Sequence, residues 1–254
     1  WHDQFEFAGF YVAKEKGSYK DLGLDVEFKN FSVDINTTDK VVNGEATFGT
    51  GSSSLLIDKA KGKDVVLLGS IFQSSPLILL GLKDSTIKSI EDIKNKKIML
   101  TEDQQYFATL QSMLASKNIQ LEDIEVIEHS FNVDDLINKK TDLMLGYTTN
   151  EPYILKEKGY EGVIFHPKDY GFDFYEEIIF TSSKFANKNP KLVEDFYKAT
   201  IRGWKYAFEN IEEISNLVYK KYNPRNKTLN SLVFEAEEMK KLEISSIFSK
   251  AYFH

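Results

Sequence analysis

Along this chain the spacing of apolar positions switches repeatedly between a helical period and a strand-like period of two. Ala8, Phe10, Tyr11 and Ala13 supply good helix formers and a bulky face, and Lys14 to Lys16 hand the segment over to solvent. Gly17 follows where a helix ends most easily in a left-handed residue. Leu24, Val26 and Phe28 then alternate with Asp25, Glu27 and Lys29, which predicts a half-buried strand. Next come a short helix over 37–43 ending at Gly44, a strand over 46–48, and a helix over 53–61 stopped by Gly62. A buried strand over 65–69 and an apolar run over 77–82 complete the first third. Helices and strands in alternation, with glycine after each helix, predict α/β architecture with a largely parallel sheet.

A second unit is expected to begin near Asp84, where a short helix and Lys94-Asn95-Lys96-Lys97 precede a new strand. Helix 104–117, strand 124–128, helix 133–139, strand 142–147 and helix 151–158 follow. The runs at 77–83 and 177–183 stand where composition changes, so they read as two hinge crossovers. Residues 1–83 and 177–254 then form a discontinuous first lobe, and 84–176 an inserted second lobe. From Pro190 the pattern is helical, over 190–209, 211–222 and 228–247. On the last helix Leu232, Phe234, Ala236, Met239 and Leu242 form an apolar stripe.

Composition narrows the classes. The chain of 254 residues is 42% hydrophobic and 13% aromatic, ample for a core and against disorder. Its net charge of -7 is spread among mixed lysines and acids, with no basic face for nucleic acid. The absence of cysteine removes a disulfide frame, a thiol nucleophile and any cysteine metal site, and leaves the redox compartment open. No apolar run approaches the roughly 18 residues that suggest a membrane span. The sequence opens abruptly at Trp1, as a mature or trimmed chain would, so the lack of a visible leader says little about compartment.

Candidate chemistry gathers in a few loops. Trp1, His2, Gln4 and Phe5, just ahead of the first helix, combine aromatic faces with hydrogen-bonding groups suited to a flat ligand. Gly51, Ser52 and Ser53 form a glycine-rich turn into a helix, which serves either as an ordinary cap or as a site for a ligand acceptor or anion. The turn lacks the Lys of a phosphate-binding loop and the third Gly of a dinucleotide fingerprint. Gln73 ends a buried strand, where it either faces a ligand or caps loop amides. Tyr147, Asn150 and Glu151 sit at a strand-to-helix junction with Pro152 in the first turn. They read as a good helix start or as a carboxylate offered to an amino-substituted heterocycle. Thr101–Tyr106 opens another helix, more as a capping box than as a ligand contact. Tyr170, Phe172, Phe174 and Tyr175 make an aromatic loop before the second crossover. His2, His129, His166 and His254 have no metal-ligand spacing, and the serines lack a nucleophile elbow. No Lys stands in a cofactor-anchoring context, so no cofactor is expected. Arginine occurs twice, as Arg202 and Arg225, outside every candidate loop, which argues against an arginine clamp on a planar oxyanion.

The opening stretch WHDQFEFAGFYVAKEKGSYKDLGLDVEF resembles that of the SsuA/THI5-like family. The resemblance continues through residues 41–56, 71–81, 142–155, 171–182 and 201–210, in the expected order. It implies a type II periplasmic binding protein: two lobes, two hinge crossovers, a helical C-terminal region, and closure around a small molecule. It also implies a thiamine-precursor pyrimidine or a similar flat, nitrogen-rich ligand, with Glu151 reading the aminopyrimidine edge and Tyr175 forming a pocket wall. The expected partners are an ABC permease or an attached transmembrane signalling module, a histidine kinase or diguanylate cyclase. The expected location is periplasmic or extracytoplasmic. Two alternatives stay open: a pyrimidine-synthase-like enzyme of the superfamily, whose cysteine-rich motif this chain lacks, and a binder of an anion such as a sulfonate.

Overall fold

The structure, a computed structural model, describes residues 3–29, 35–100 and 104–242, without side-chain detail for 104–108. The chain divides into two compact units. Unit 1 holds Trp1–Gln73 and Glu177–His254, and unit 2 is the continuous stretch Ser74–Glu176.

Unit 1 begins with a 3-10 turn, Phe5–Phe7, that runs into α1 (Ala8–Glu15). Ala8 through Ala13 are buried, and Gly17 closes the helix at φ +80 as its position predicts. Helix α2 (Thr37–Val42) is capped by Asn36, whose side chain accepts from the Asp39 N–H. Strand β1 (Gly49–Gly51), helix α3 (Leu55–Ala60) and strand β2 (Val66–Phe72) follow. The chain then leaves for unit 2 and re-enters through a later strand, Glu176–Thr181, which lies between β1 and β2 in a three-stranded sheet. Its Phe180 stands opposite Gly49 in an antiparallel ladder.

Unit 2 has a five-stranded sheet. Its strands are β3 (Leu77–Leu82), β4 (Lys97–Leu100), β5 (Glu125–Glu128), β6 (Leu143–Tyr147) and β7 (Gly162–Phe165), in spatial order β5-β4-β6-β3-β7. The return strand Glu176–Thr181 is therefore β8. Helices α4 (Gln104–Ala115) and α5 (Val133–Ile137) make the crossovers that leave β5, β4 and β6 parallel, and α6 (Glu151–Glu157) leads from β6 to β7. Every residue of β3 is buried, which accounts for its unbroken apolar run.

The C-terminal part of unit 1 is helical: α7 (Ser183–Lys188), α8 (Pro190–Glu209), α9 (Ile211–Lys221) and α10 (Leu229–Leu242). Helix α8 crosses α1 where two glycines face each other. A methyl group built on Gly203 would lie 2.0 Å from the Gly9 carbonyl oxygen, and one on Gly9 would lie 2.2 Å from the Trp204 ring. Trp204 stacks on Phe208 at 5.2 Å and meets Phe10 edge-on at 6.2 Å. On α10, Leu232, Ala236 and Met239 enter the same core, so the stripe on that helix is interior.

Several expectations need correction. The sheet of unit 2 is mixed rather than largely parallel, because β3 enters unit 2 against the direction of the crossover strands and pairs antiparallel with both β6 and β7. That strand lies wholly inside unit 2, so the chain first crosses at Gln73–Ser74 and not within 77–83. Leu24, Val26 and Phe28 do alternate with exposed neighbours and pack on the unit 1 core, yet residues 24–29 form no ladder among the described residues. The strand expected at 46–48 forms at Gly49–Gly51, where glycine is needed: a methyl on Gly49 would meet the Phe180 ring at 2.7 Å. Strand β7 and helix α7 were not anticipated. The latter starts at Ser182, whose Oγ accepts from the Phe185 N–H at 3.1 Å.

Candidate functional site

In unit 1 the turn ahead of α1 is held by a buried polar network. Gln4 is 1% exposed, and its Nε2 donates to Glu6 Oε2 at 2.7 Å. The Glu6 N–H donates to Glu235 Oε1 on α10 at 2.9 Å. Lys227 Nζ donates to Glu235 Oε2 at 2.6 Å and approaches Gln4 Oε1 at 3.4 Å. Burial above all, then the carboxylates of Glu177 and Glu235, push the Glu6 carboxyl well above the usual carboxylate range. Phe5 has no exposed surface and packs toward Phe208 at 6.5 Å, so it supports the turn from within the core. Nearby, the Tyr11 hydroxyl donates to Asp3 at 2.5 Å, and its ring stacks on Tyr222 at 3.8 Å. Trp1 and His2, expected to share this site, lie outside the described residues, as do Thr101–Asp103 and His254.

The glycine-rich turn answers first to packing. Gly51 faces Leu55, whose Cδ1 would lie 3.1 Å from an added methyl. Ser52 is buried; its Oγ accepts from the Ser54 N–H at 3.2 Å and bonds Ser54 Oγ at 2.8 Å. The helix that follows has six residues, and Ser54 at its start makes no side-chain cap. The cap expected from Ser52 or Ser53 is thus a local serine turn, and so short a helix offers little dipole for an anion. Ser53 is half-buried. Gln73 is half-buried; its Nε2 donates to the Ser70 carbonyl at 3.4 Å and its N–H to the Leu242 carbonyl at 3.2 Å.

In unit 2, Tyr147, Asn150 and Glu151 come together at the end of β6. All three are buried. Glu151 Oε2 accepts from the Tyr147 N–H at 2.7 Å, and its Oε1 accepts from Asn150 Nδ2 at 2.5 Å. Gly146 leaves room for that carboxylate, since a methyl there would lie 2.9 Å from Oε2. Both carboxylate oxygens of Glu151 are therefore engaged with their own loop, which braces the turn from strand to helix. Asn150 occupies the cap position but turns its amide to Glu151 instead of to the helix. Tyr175 is 56% exposed, whereas Tyr170 lies under the Lys117 ammonium at 5.7 Å.

A second polar group in unit 2 ties its two ends. Ser74 Oγ lies 2.8 and 2.9 Å from the Asp173 carboxylate oxygens, the Ser75 N–H donates to Asp173 Oδ1 at 3.1 Å, and Ser75 Oγ donates to Glu176 Oε1 at 3.3 Å. His129 uses both ring nitrogens, with Nε2 on the Leu145 carbonyl at 2.8 Å and Nδ1 accepting from the Phe131 N–H at 2.9 Å. Among the described residues no group of histidines and carboxylates is arranged to hold a metal ion.

Sequence reasoning missed Glu6, Lys227 and Glu235. A signal existed for two of them. Glu6 is a lone acid inside the aromatic run Phe5-Glu6-Phe7, and Glu235 falls at helical spacing between the stripe residues Leu232 and Met239.

The family model described as NMT1/THI5 like matches residues 4–214. The chain belongs to that family. It is 26% identical over 218 residues to the riboflavin-binding protein RibY of Chloroflexus aurantiacus, covering 84% of this chain and 62% of that protein. It is 22% identical over 245 residues to the formylaminopyrimidine-binding protein of Halalkalibacterium halodurans, covering 94% and 72%. A third relative, 25% identical and covering 86% and 70%, is the 4-amino-5-hydroxymethyl-2-methylpyrimidine phosphate synthase of Legionella pneumophila. In fold, this NMT1/THI5-like chain matches the periplasmic aliphatic sulphonate binding protein SsuA of Escherichia coli. The TM-score is 0.72 at 14% identity, covering 95% of this chain and 77% of that one. The periplasmic binding protein fold follows from this likeness. No described helix is long and apolar enough to cross a membrane.

Proposed function

We propose that this chain binds, without transforming it, a flat nitrogen-rich solute of the pyrimidine class, by hinge closure at its two chain crossings. The observation that carries the choice of ligand is the charge around the N-terminal turn. Two carboxylates, Glu177 and Glu235, act on the Glu6 carboxyl beside Gln4, and one lysine, Lys227, pairs with Glu235 and approaches Gln4. An alkanesulfonate would meet like charge, whereas an amide and a carboxyl group match the donors and acceptors of a heterocycle edge. Two relatives are named for binding nitrogen heterocycles, which supports the same choice. Gln4, Gln73, Tyr175 and the Tyr147–Glu151 loop are the proposed contacts, with Glu151 acting mainly by shaping its loop. The proposed partners are an ABC permease or an attached transmembrane signalling module, and the proposed location is extracytoplasmic. The interior position of the α10 stripe favours neither partner.

A synthase activity is the second reading, favoured by the name of the Legionella relative. A thermal-shift screen of aminopyrimidines, purines, riboflavin, amino acids and alkanesulfonates separates the possibilities. A ligand at about 100 times its dissociation constant stabilises the folded protein by roughly 2.7 kcal/mol. A shift confined to aminopyrimidines or riboflavin, with the compound recovered unaltered by mass spectrometry, is expected. A shift with sulfonates alone would discard the ligand class, and a new pyrimidine product would make the protein an enzyme.

A further inference from the structure

The family match ends at residue 214, yet two charged side chains beyond it reach back to the first turn of the chain. Glu235 is wholly buried and Lys227 is 8% exposed. Together with Gln4 and Glu6 they close a ring: the Glu6 N–H to Glu235, Glu235 to Lys227, Lys227 to the Gln4 carbonyl oxygen, and the Gln4 amide nitrogen to the Glu6 carboxyl. Glu177 is the further charged group acting on Glu6 from β8.

A buried Lys–Glu pair is a poor way to gain stability, since desolvation offsets most of the attraction and an apolar pair of similar volume often does as well. What an apolar pair cannot supply is direction. With its oxygen turned to Lys227, the Gln4 amide must present its nitrogen to Glu6. With its N–H held by Glu235, the Glu6 backbone cannot rotate away from α10. The same helix receives the Gln73 N–H at its Leu242 carbonyl, so α10 holds two of the segments proposed to meet the ligand.

We propose that Lys227 and Glu235 are positioning residues, supplied by the segment beyond the family match, which fix Gln4 and Glu6 in their ligand-ready orientation. The proposal rests on the reading that the N-terminal turn contacts the solute. Its test therefore includes an arm that needs no ligand.

The variants are Lys227→Arg, Glu235→Gln and the double change Lys227→Met/Glu235→Leu, which removes both charges while keeping apolar volume. The probe is 4-amino-5-hydroxymethyl-2-methylpyrimidine, titrated calorimetrically. The double variant is expected to melt within a few degrees of the parent and to bind about tenfold more weakly, while Lys227→Arg, which keeps the donor, restores affinity to within about threefold. Unchanged affinity in the double variant would overturn the proposal. In amide hydrogen exchange, the Glu6 N–H of the double variant is expected to lose protection about tenfold while Val12 in α1 does not. Equal protection in both proteins would overturn the proposal even if no probe binds. Failure of the parent to bind any pyrimidine or riboflavin would instead count against the proposed ligand class. Should the double variant fail to fold, Glu235→Gln takes its place in the titration, with about threefold weaker binding expected and parental affinity overturning the proposal.

Discussion

Gly203→Ala probes the close crossing of α1 and α8 in unit 1, which holds α1 and so the polar turn ahead of it. The added methyl would sit 2.0 Å from the Gly9 carbonyl oxygen, 2.8 Å from the Ala13 nitrogen and 2.9 Å from its Cβ. Two of these three obstacles are backbone atoms of a helix, so no rotamer change relieves them. Overpacking of this kind costs roughly 1–3 kcal/mol, and a backbone obstacle puts it at the upper end, about 3 kcal/mol. Alanine returns about 1 kcal/mol through its better helix propensity. The net loss is about 2 kcal/mol, which lowers Tm by roughly 4–8 °C in a protein of this size. Differential scanning calorimetry of the two proteins reads it directly. A Tm equal to or above the parent's would mean that propensity outweighs the clash, and that α1 and α8 are not held at this distance by their glycines.

Two further outcomes follow from unit 2. Glu151→Ala removes the acceptor of the Tyr147 N–H and of the Asn150 amide from a buried turn, and is expected to destabilise the protein by about 1–3 kcal/mol in urea titration, with Glu151→Gln milder; an unmoved midpoint would show the bracing to be idle. His166 Nδ1 accepts from the Lys168 N–H, and burial, then the Lys168 charge, hold the imidazole below its ordinary value of 6.5. In the window between that lowered value and 6.5 the unfolded chain takes a proton that the native one refuses, so stability is complete above 6.5 and declines as pH falls through the window. His166→Asn, which can keep the capping acceptor, is expected to flatten that slope in melts taken as a function of pH; an unchanged slope would assign it to other groups.

Local signals carried much of the fold. The helix read over 190–209 forms over those residues because Pro190 opens it, Asn210 follows it, and an amphipathic stripe runs between them. The apolar run 77–82 is a buried strand, although it lies inside unit 2 and not at the crossing where it was read. Strand direction was not legible, since periodicity is the same for parallel and antiparallel neighbours, and β3 lies antiparallel to both of its own. The alternation at Leu24–Phe28 reports a half-buried extended segment, and only tertiary contacts decide whether such a segment acquires a ladder. The site shows the same limit. The helix-start position of Glu151 was legible, but its bond from the Tyr147 N–H depends on how β6 ends. The network at Gln4 and Glu6 needs residues 229 positions apart, a distance at which no local pattern speaks.

The hydrogen bonds from Ser74 and Ser75 to Asp173 and Glu176 join the first and last residues of a continuous unit. That closure bears on the order of events in folding. Strand β8, central in the sheet of unit 1, is synthesised after all of unit 2, so residues before Gln73 wait for a partner. Bringing them to it across a disordered excursion of about a hundred residues would cost about 4 kcal/mol in chain entropy, by the logarithmic rule for loops. Unit 2, folded first, shortens the excursion to one clasped pair of strand ends and delivers β2 and β8 side by side. Pulse-labelled hydrogen exchange during refolding is expected to protect β3 and β6 before β8. The inserted unit then acts as a built-in template for the unit it interrupts.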